Sequence, residues 1–225
     1  MHEGAGTTFG RADYWDAQYR EADAKLGFSW YSGWVELEPF WRALVPSTSA
    51  RVLLPGIGND AAMVEMYDAG WTSLSAFDLS EEAIARASDL FGPERLLGSA
   101  GVGAAGVSLA VADARELPFE ASSFDAVLDK GTLDAVYLAG GLDKAARRRS
   151  LRRAVDELAR VVRPGGVVLS VTAAAEAHLP AAFLEPRAEE EGARWRVLWD
   201  GSVFVTEEGD ASINVDATML AWERL

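Results

Sequence analysis

Residues 51–61 read RVLLPGIGNDA and decide the fold. The apolar run predicts a short buried strand, and a proline is tolerated at its end because the ladder of hydrogen bonds stops there. The glycines follow the spacing G-x-G-x-x-A, which lets the backbone turn tightly and a ligand approach closely. The same spacing also occurs in turns that bind nothing. A helix should follow from about Asp60 to Ala69, and we predict that Gly56 and Gly58 lie against a ligand.

Further apolar runs alternate with helical patterns along the chain, which is typical of a parallel sheet with crossover helices. The next predicted strands are 74–77, 107–112, 124–128 and 167–171. Helices are predicted after Ser80, which is an expected N-cap, and over about 142–162, ending at Pro164-Gly165-Gly166. Three later runs should pair antiparallel at one sheet edge, and they are 195–199, 202–206 and 217–222. The fold class is therefore α/β, doubly wound and mostly parallel.

Acidic residues follow the second and third predicted strands. Asp78 comes 22 residues after Gly56, where a carboxylate can accept both hydroxyls of an adenosine ribose. The glycine turn together with Asp78 suits either a nicotinamide cofactor or S-adenosylmethionine. Asp113 ends the next strand, where it can accept a hydrogen bond from an adenine amino group and favours S-adenosylmethionine. An Asp at a strand end is also a common turn residue, but ligands of doubly wound sheets bind at successive carboxyl ends of strands.

We expect the chain to form a single domain, residues 1–225, that consists of three parts. Residues 1–50 are an aromatic-rich helical cap, residues 51–172 form the cofactor-binding core, and residues 173–225 supply the antiparallel strands. The glycine-rich stretch 93–106 predicts a surface loop because sheet signals resume directly after it.

Composition restricts the class of partner. The chain carries 21 basic and 35 acidic residues, a formal net charge of −14, which disfavours nucleic acid and anionic membranes and favours a cationic partner. Acidity that serves solubility alone is the alternative. No transmembrane run or secretory signal is visible, and there are no cysteines, so we expect a cytoplasmic protein. His2 and His178 are isolated, so no metal site is expected.

The fourth strand leads into the motif LDKGTLDAV at residues 128–136. With the segments YWDAQY, SWY, VLLPGIGN, FDLS, DARELPF, SSFDAVLDKGTLDAV and ARVVRPGG, this motif resembles the methyltransferase-like group that includes lysine methyltransferases of elongation factor 1A and of citrate synthase. The resemblance covers most of the chain, from Tyr14 to about Thr172. It implies a class I, seven-stranded, Rossmann-like methyltransferase that binds S-adenosyl-L-methionine and releases S-adenosyl-L-homocysteine.

The resemblance also implies which residues contact the cofactor. These are Trp15, Tyr19, Trp30, Gly56, Asp78, Leu79, Asp113, Ala114 and Lys130. The aromatic members would attract a sulfonium cation through their ring faces and exclude water. Packing of these aromatics on the sheet without a ligand is the alternative.

Two features depart from the group. The group usually has Gly-Cys-Gly where this chain has Gly56-Ile57-Gly58, and Pro55 precedes the turn. Some thiol methyltransferases carry a similar Pro-Gly-x-Gly turn, which leaves a small-molecule acceptor open. The glycine-rich insertion at 98–106 is also longer than in the group.

For the chemistry, Asp129 at the end of strand four is the residue we expect to face the methyl group and the acceptor. Lys130 should contact the cofactor or position the backbone, and Asp134 either joins the site or caps the following helix. The preferred function is methylation of a lysine on a protein with a basic surface. The alternatives are a small-molecule N- or S-methyltransferase and a catalytically silent binding module.

Overall fold

The apolar run at residues 52–55 forms a buried strand, β1 (Val52–Pro55), with a parallel partner on each side. Val52 pairs with Leu74 on one side and with Ala126 on the other. Because strands in a parallel sheet are covered on both faces, a continuous apolar run is what such a position requires.

The computed structural model describes residues 8–20, 29–97, 105–186, 194–204 and 217–225. The remaining strands are β2 (Ser73–Asp78), β3 (Gly106–Val111), β4 (Phe124–Lys130), β5 (Val162–Thr172), β6 (Trp195–Phe204) and β7 (Ala217–Arg224). The helices in the described part of the chain are α1 (Ala12–Arg20), α2 (Trp34–Leu44), α3 (Ala61–Asp68), α4 (Glu81–Phe91), α5 (Thr132–Leu138), α6 (Lys144–Val161) and α7 (Leu179–Leu184).

The strands form one seven-stranded sheet in the order β3-β2-β1-β4-β5-β7-β6. The first five are parallel, and β7 runs antiparallel between β5 and β6. This confirms the predicted doubly wound, mostly parallel sheet with antiparallel C-terminal strands, and α1 and α2 confirm an N-terminal helical cap. The winding direction reverses between β1 and β4, and ligands of such sheets bind outside the carboxyl ends of the strands at that point.

Side chains along β4 alternate between two apolar layers, one on each face of the sheet. Leu128 belongs to the layer that contains Trp41 of α2. Val127 belongs to the layer that contains Leu151 of α6. Neighbouring residues of β4 therefore face different layers, as the two-residue period of a strand requires.

Capping residues determine where two of the helices begin. Ser80 accepts a hydrogen bond from Ala83 N at 3.1 Å, which confirms it as the N-cap of α4. Asp143 caps α6 in the same way through the backbone N–H of Ala145. This cap begins α6 at Lys144, two residues later than the predicted start.

The prediction of separate strands at 195–199 and 202–206 was wrong. A single strand, β6, covers Trp195–Phe204, and residues 205 and 206 lie outside the described part of the chain. Gly201 has a φ of +130°, and the pairing with β7 shifts register on either side of Trp199. These irregularities bend the strand without ending it.

The start of β5 also differs from the prediction. Pro164-Gly165-Gly166 was expected to separate the helix from the strand, but β5 begins at Val162. Val162 pairs with Phe124 and Val167 with Ala126, so the intervening residues form a bulge within the pairing. Two short helices, α5 and α7, were not predicted. Residues 98–104 of the glycine-rich stretch lie outside the described residues.

Within the described ranges, no helix has both the length and the apolar character needed to cross a membrane.

We predict that Gly56→Ala lowers the free energy of unfolding by on the order of 1–3 kcal/mol. Gly56 has a φ of +57°, and a Cβ there would lie 2.2 Å from Oγ1 of Thr132, which donates a hydrogen bond to the carbonyl of Pro55. Gly165→Ala is the matched control, because Gly165 has a φ of +76° and a Cβ there would lie 3.4 Å from Nη1 of Arg163, its nearest neighbour. Urea denaturation should show the larger loss for Gly56→Ala. Equal losses in the two variants would show that contact with Thr132 does not constrain the turn.

Candidate functional site

A cavity of about 220 Å³ lies at the carboxyl ends of the parallel strands. It brings together every residue that the sequence assigned to cofactor binding, and these are Trp15, Tyr19, Trp30, Gly56, Gly58, Asp78, Leu79, Asp113, Ala114 and Lys130. Residues from the N-terminal cap and from four strand ends therefore line one space.

The glycine turn is fixed against the end of β2. Ile57 N donates to the carbonyl of Phe77 at 3.0 Å, and Gly58 N donates to Oδ2 of Asp78 at 3.0 Å. The other oxygen of Asp78 accepts a hydrogen bond from Ser80 N at 3.0 Å. Burial raises the pKa of Asp78, while these two backbone donors oppose the rise. The carboxylate is held in one orientation at the cavity wall and retains lone pairs for a ligand's hydroxyl groups.

Asp113 reaches the cavity as one member of an ion pair. Both of its oxygens accept hydrogen bonds from the Arg115 guanidinium, and Oδ1 also accepts from Arg115 N at 2.8 Å. Although burial opposes it, the hydrogen bonds and charge of Arg115 lower the pKa of Asp113. Asp113 therefore presents an ionised acceptor at the far end of the cavity from β4.

Lys130 brings a buried positive charge to the end of β4. Its Nζ lies 2.7 Å from Oδ2 of Asp60, the N-cap of α3, and donates to the carbonyl of Ser32 at 2.7 Å. Asp60 also accepts a hydrogen bond from the hydroxyl of Ser29. Lys130 thus joins β4, α3 and the segment before α2, which matches its predicted role in positioning the backbone.

Residues 30–32 form a tight turn at the cavity. Ser32 N donates to the carbonyl of Trp30 at 2.8 Å, and Tyr31 between them has a φ of 67°. A three-residue turn with a positive central φ is rare and strained for a residue other than glycine. Gly131 makes room for it, because a Cβ there would lie 3.0 Å from the Tyr31 ring. Tyr31 lines the cavity.

Asp134 holds this turn from the other side. Its carboxylate accepts four hydrogen bonds, from the Tyr31 hydroxyl at 2.6 Å, the Thr172 hydroxyl, Ala173 N at 3.0 Å and Ala175 N at 2.8 Å. None of these donors belongs to α5. The alternative that Asp134 caps the helix is therefore wrong, and it joins Tyr31 to the end of β5 within the cavity wall.

Asp129 takes the capping role instead. Its carboxylate is 0% exposed and accepts hydrogen bonds from Thr132 N and Leu133 N, both at 3.1 Å, and from the Ser170 hydroxyl. It does not line the described cavity. The expectation that Asp129 faces the acceptor is corrected, because alternation along β4 turns Asp129 to one face of the sheet and Lys130 to the other.

Helix α1 covers the glycine turn. Trp15 and Tyr19 stack with ring centroids 6.1 Å apart, and a Cβ at Gly58 would lie 2.6 Å from the Tyr19 hydroxyl. Asp16 accepts a hydrogen bond from the Ser80 hydroxyl and so attaches α1 to the start of α4. The aromatic residues of the cap therefore form a wall of the cavity.

Sequence reasoning missed Tyr31 and Asp60 as members of the site, and it left open whether Asp134 joins it. Asp60 had a signal, because an Asp at the first position of a predicted helix is a good cap. The conformation of Tyr31 had none, since tertiary contacts impose it. Among the described residues, no group of three or more His, Cys, Asp or Glu is arranged to hold a metal. His178 stacks on Tyr137 with centroids 4.5 Å apart.

A known family matches the part of the chain that forms this site. The family described as "Methyltransferase domain" matches residues 53–170, more than half of the 225 residues. The chain belongs to the methyltransferase-domain family. This confirms the methyltransferase class predicted from the strand ends and the motif at residues 128–136, and it agrees with S-adenosylmethionine as the predicted cofactor.

Two curated relatives carry names that describe lysine methyltransferases. The mouse (Mus musculus) "eEF1A lysine and N-terminal methyltransferase" is 31% identical over 172 residues, which cover 76% of this chain and 22% of that protein. The mouse "EEF1A lysine methyltransferase 4" is 29% identical over 172 residues, which cover 73% of this chain and 61% of that protein. This chain thus matches only a part of each relative's length.

Solved structures share the fold. The N-methyltransferase NodS from Bradyrhizobium japonicum, in complex with S-adenosyl-L-homocysteine, aligns with a TM-score of 0.60 at 15% identity. The alignment covers 97% of this chain and 98% of that chain. At this level of identity the likeness establishes the fold and nothing more.

The buried Asp129 generates a prediction about pH. Burial, partly opposed by Ser170 and reinforced by the charge of Asp134, raises the pKa of Asp129 to about 7. Because the folded state binds this proton more tightly than the unfolded chain, the stabilising contribution is present at low pH and is lost as the pH rises through about 7. Asp129→Asn keeps the acceptor for Thr132 N and removes the titration. The free energy of unfolding of Asp129→Asn should therefore rise relative to the natural protein between about pH 5 and pH 8.

Asp125→Asn on the same strand is the control. Although burial opposes it, Arg51 and Arg163 lower the pKa of Asp125, so the stability it contributes is lost only in more acidic solution. Its difference from the natural protein should stay constant between about pH 5 and pH 8. Denaturant titrations across that range check both variants, and a flat profile for Asp129→Asn would contradict the assignment.

Proposed function

We propose that this chain is an S-adenosylmethionine-dependent methyltransferase that transfers a methyl group to a lysine side chain of a protein. The observation that carries the proposal is the placement of Asp78 and Asp113 at the ends of neighbouring strands, beside the glycine turn of a methyltransferase domain. Carboxylates at these strand ends suit the hydroxyl and amino groups of an adenosine.

The cavity fits the proposed cofactor in chemistry. Asp78 would hold the ribose hydroxyls, and Asp113 with Ala114 would hold the adenine. Trp15, Tyr19 and Trp30 supply aromatic faces that attract a cation and exclude water. A Cβ at Gly58 would lie 2.6 Å from the Tyr19 hydroxyl, so glycine at this position lets Tyr19 cover the turn. When bound, S-adenosylmethionine supplies an electrophilic methyl group.

Two observations support a lysine acceptor, namely the names of the relatives and the negative net charge of this chain. The ammonium of free lysine has a reference pKa of about 10.4, so a lysine nucleophile must lose its proton before it reacts. A largely apolar cavity disfavours the charged form and so assists that loss. The formal net charge of −14 would draw in a protein with a basic surface, and would repel nucleic acid and anionic membranes. A cytoplasmic location completes the proposal, since a chain without cysteines suits a reducing compartment.

Mass spectrometry tests the substrate. Purified protein is incubated with deuterium-labelled S-adenosylmethionine and cell lysate, with Asp78→Asn as the matched reference. We expect labelled methyl groups on lysine residues of one or a few basic proteins, and far less label with Asp78→Asn. Label found only in a low-molecular-weight fraction would overturn the lysine proposal and favour the small-molecule acceptor that the Pro55-Gly56 turn leaves open. No label in either fraction would contradict the methyltransferase proposal itself.

Cofactor binding can be measured separately. Asp78→Asn removes one charged acceptor and should weaken S-adenosylhomocysteine binding by on the order of 1–3 kcal/mol, because hydrogen bonds to a carboxylate are stronger than those to an amide. Asp89→Ala is the control, since Asp89 is an exposed carboxylate on α4 outside the cavity. Isothermal titration calorimetry should show no binding of NAD to the natural protein. Unchanged affinity in Asp78→Asn would refute the ribose assignment.

A further inference from the structure

The cavity has two ends that differ in their side chains. Asp78 and Asp113 follow β2 and β3, whereas Asp134 follows β4 and is bonded to residues after β5. One strand separates β2 from β4 and three separate β3 from β5, so the two ends are about 10–19 Å apart at a spacing of about 4.8 Å per strand. If Asp78 and Asp113 hold the adenosine, the end near Asp134 is the one left for the acceptor.

Tyr31 is a cavity-lining side chain that the structure holds in place at this second end. Its backbone has a positive φ, and the turn around it is held at both neighbours, through the Ser32 N–H bonded to Trp30 and the Lys130 ammonium bonded to the Ser32 carbonyl. Residues in such sparsely populated conformations persist when surrounding contacts impose them, and they cluster at functional sites. The turn leaves the Tyr31 ring against Gly131, in the cavity wall.

The hydrogen bonds of Tyr31 and Asp134 show which of the two side chains has a free acceptor for a ligand. The Tyr31 hydroxyl donates to Oδ2 of Asp134 at 2.6 Å, and both Asp134 oxygens already accept two hydrogen bonds each from the chain. The phenol oxygen keeps its own lone pairs as acceptors. Burial and the charge of Asp134 raise the pKa of Tyr31, so the phenol stays protonated and continues to donate to Asp134.

We propose that Tyr31, oriented by Asp134, binds the acceptor nitrogen of the substrate by accepting a hydrogen bond from its N–H group. The inference rests on the proposed function and restricts it to an amine acceptor, since a thiolate offers no proton to the phenol oxygen. Tyr31 is the contacting residue, and Asp134 is a positioning residue.

Two ligands that differ at one group test this inference by binding alone. S-adenosylhomocysteine carries a neutral sulfur, and its analogue adenosylornithine (sinefungin) carries an ammonium-bearing carbon in place of that sulfur. Calorimetry measures both affinities in the natural full-length chain, in Tyr31→Phe and in Tyr137→Phe. The last variant removes the hydroxyl of a buried tyrosine of α5 that does not line the cavity.

We expect Tyr31→Phe to bind the amine analogue about tenfold more weakly while S-adenosylhomocysteine stays within about twofold, since only the amine loses a hydrogen bond. Tyr137→Phe should change neither affinity. In the natural protein the analogue should bind at least as tightly as S-adenosylhomocysteine, which tests the inference without any variant.

The inference is overturned if Tyr31→Phe leaves the ratio of the two affinities unchanged, including the case in which both fall together. It is also overturned if the natural protein binds the amine analogue more weakly than S-adenosylhomocysteine. Failure of the natural protein to bind either ligand would instead refute the proposed cofactor, so the two failures are distinguishable.

Discussion

The ammonium group of Lys130 is buried at the end of β4 and depends on two partners, the Asp60 carboxylate and the Ser32 carbonyl. A buried charge without a partner is costly, and removing one partner of a buried pair typically costs about 3–5 kcal/mol. The chain therefore has to bring α3 and the segment before α2 to the carboxyl end of β4. This requirement joins the N-terminal cap to the sheet and closes one side of the cavity.

The fold could be predicted where local pattern and long-range pairing agree. The glycine turn after β1 and the acidic residues Asp78 and Asp113 were placed correctly, because carboxyl ends of parallel strands share one edge of the sheet. The start of β5 and the continuity of β6 through Gly201 were not predicted. Both depend on pairing with a neighbouring strand, which tolerates a bulge that the local sequence would read as a break.

In the site, too, the sequence predicted some features, whereas others depend on long-range contacts. The sequence named the residues that line the cavity at the ends of β2 and β3, but it placed Asp129 in the site and left the role of Asp134 open. A strand turns successive side chains to opposite faces, so along β4 a difference of one residue leaves Lys130 in the cavity wall and Asp129 in the core. The conformation of Tyr31 follows from contacts with residues about a hundred positions later in the chain, and no local pattern encodes it.

A crystal structure of the chain with S-adenosylhomocysteine measures the orientation of the ligand in the cavity directly. We predict that the ribose hydroxyls bond to Asp78, that the adenine lies beside Asp113, and that the sulfur faces the Tyr31 hydroxyl. A ligand bound in the reverse orientation, with its adenine next to Asp134, or one bound outside this cavity, would contradict the central claim that the strand ends hold the cofactor and the strained turn receives the acceptor.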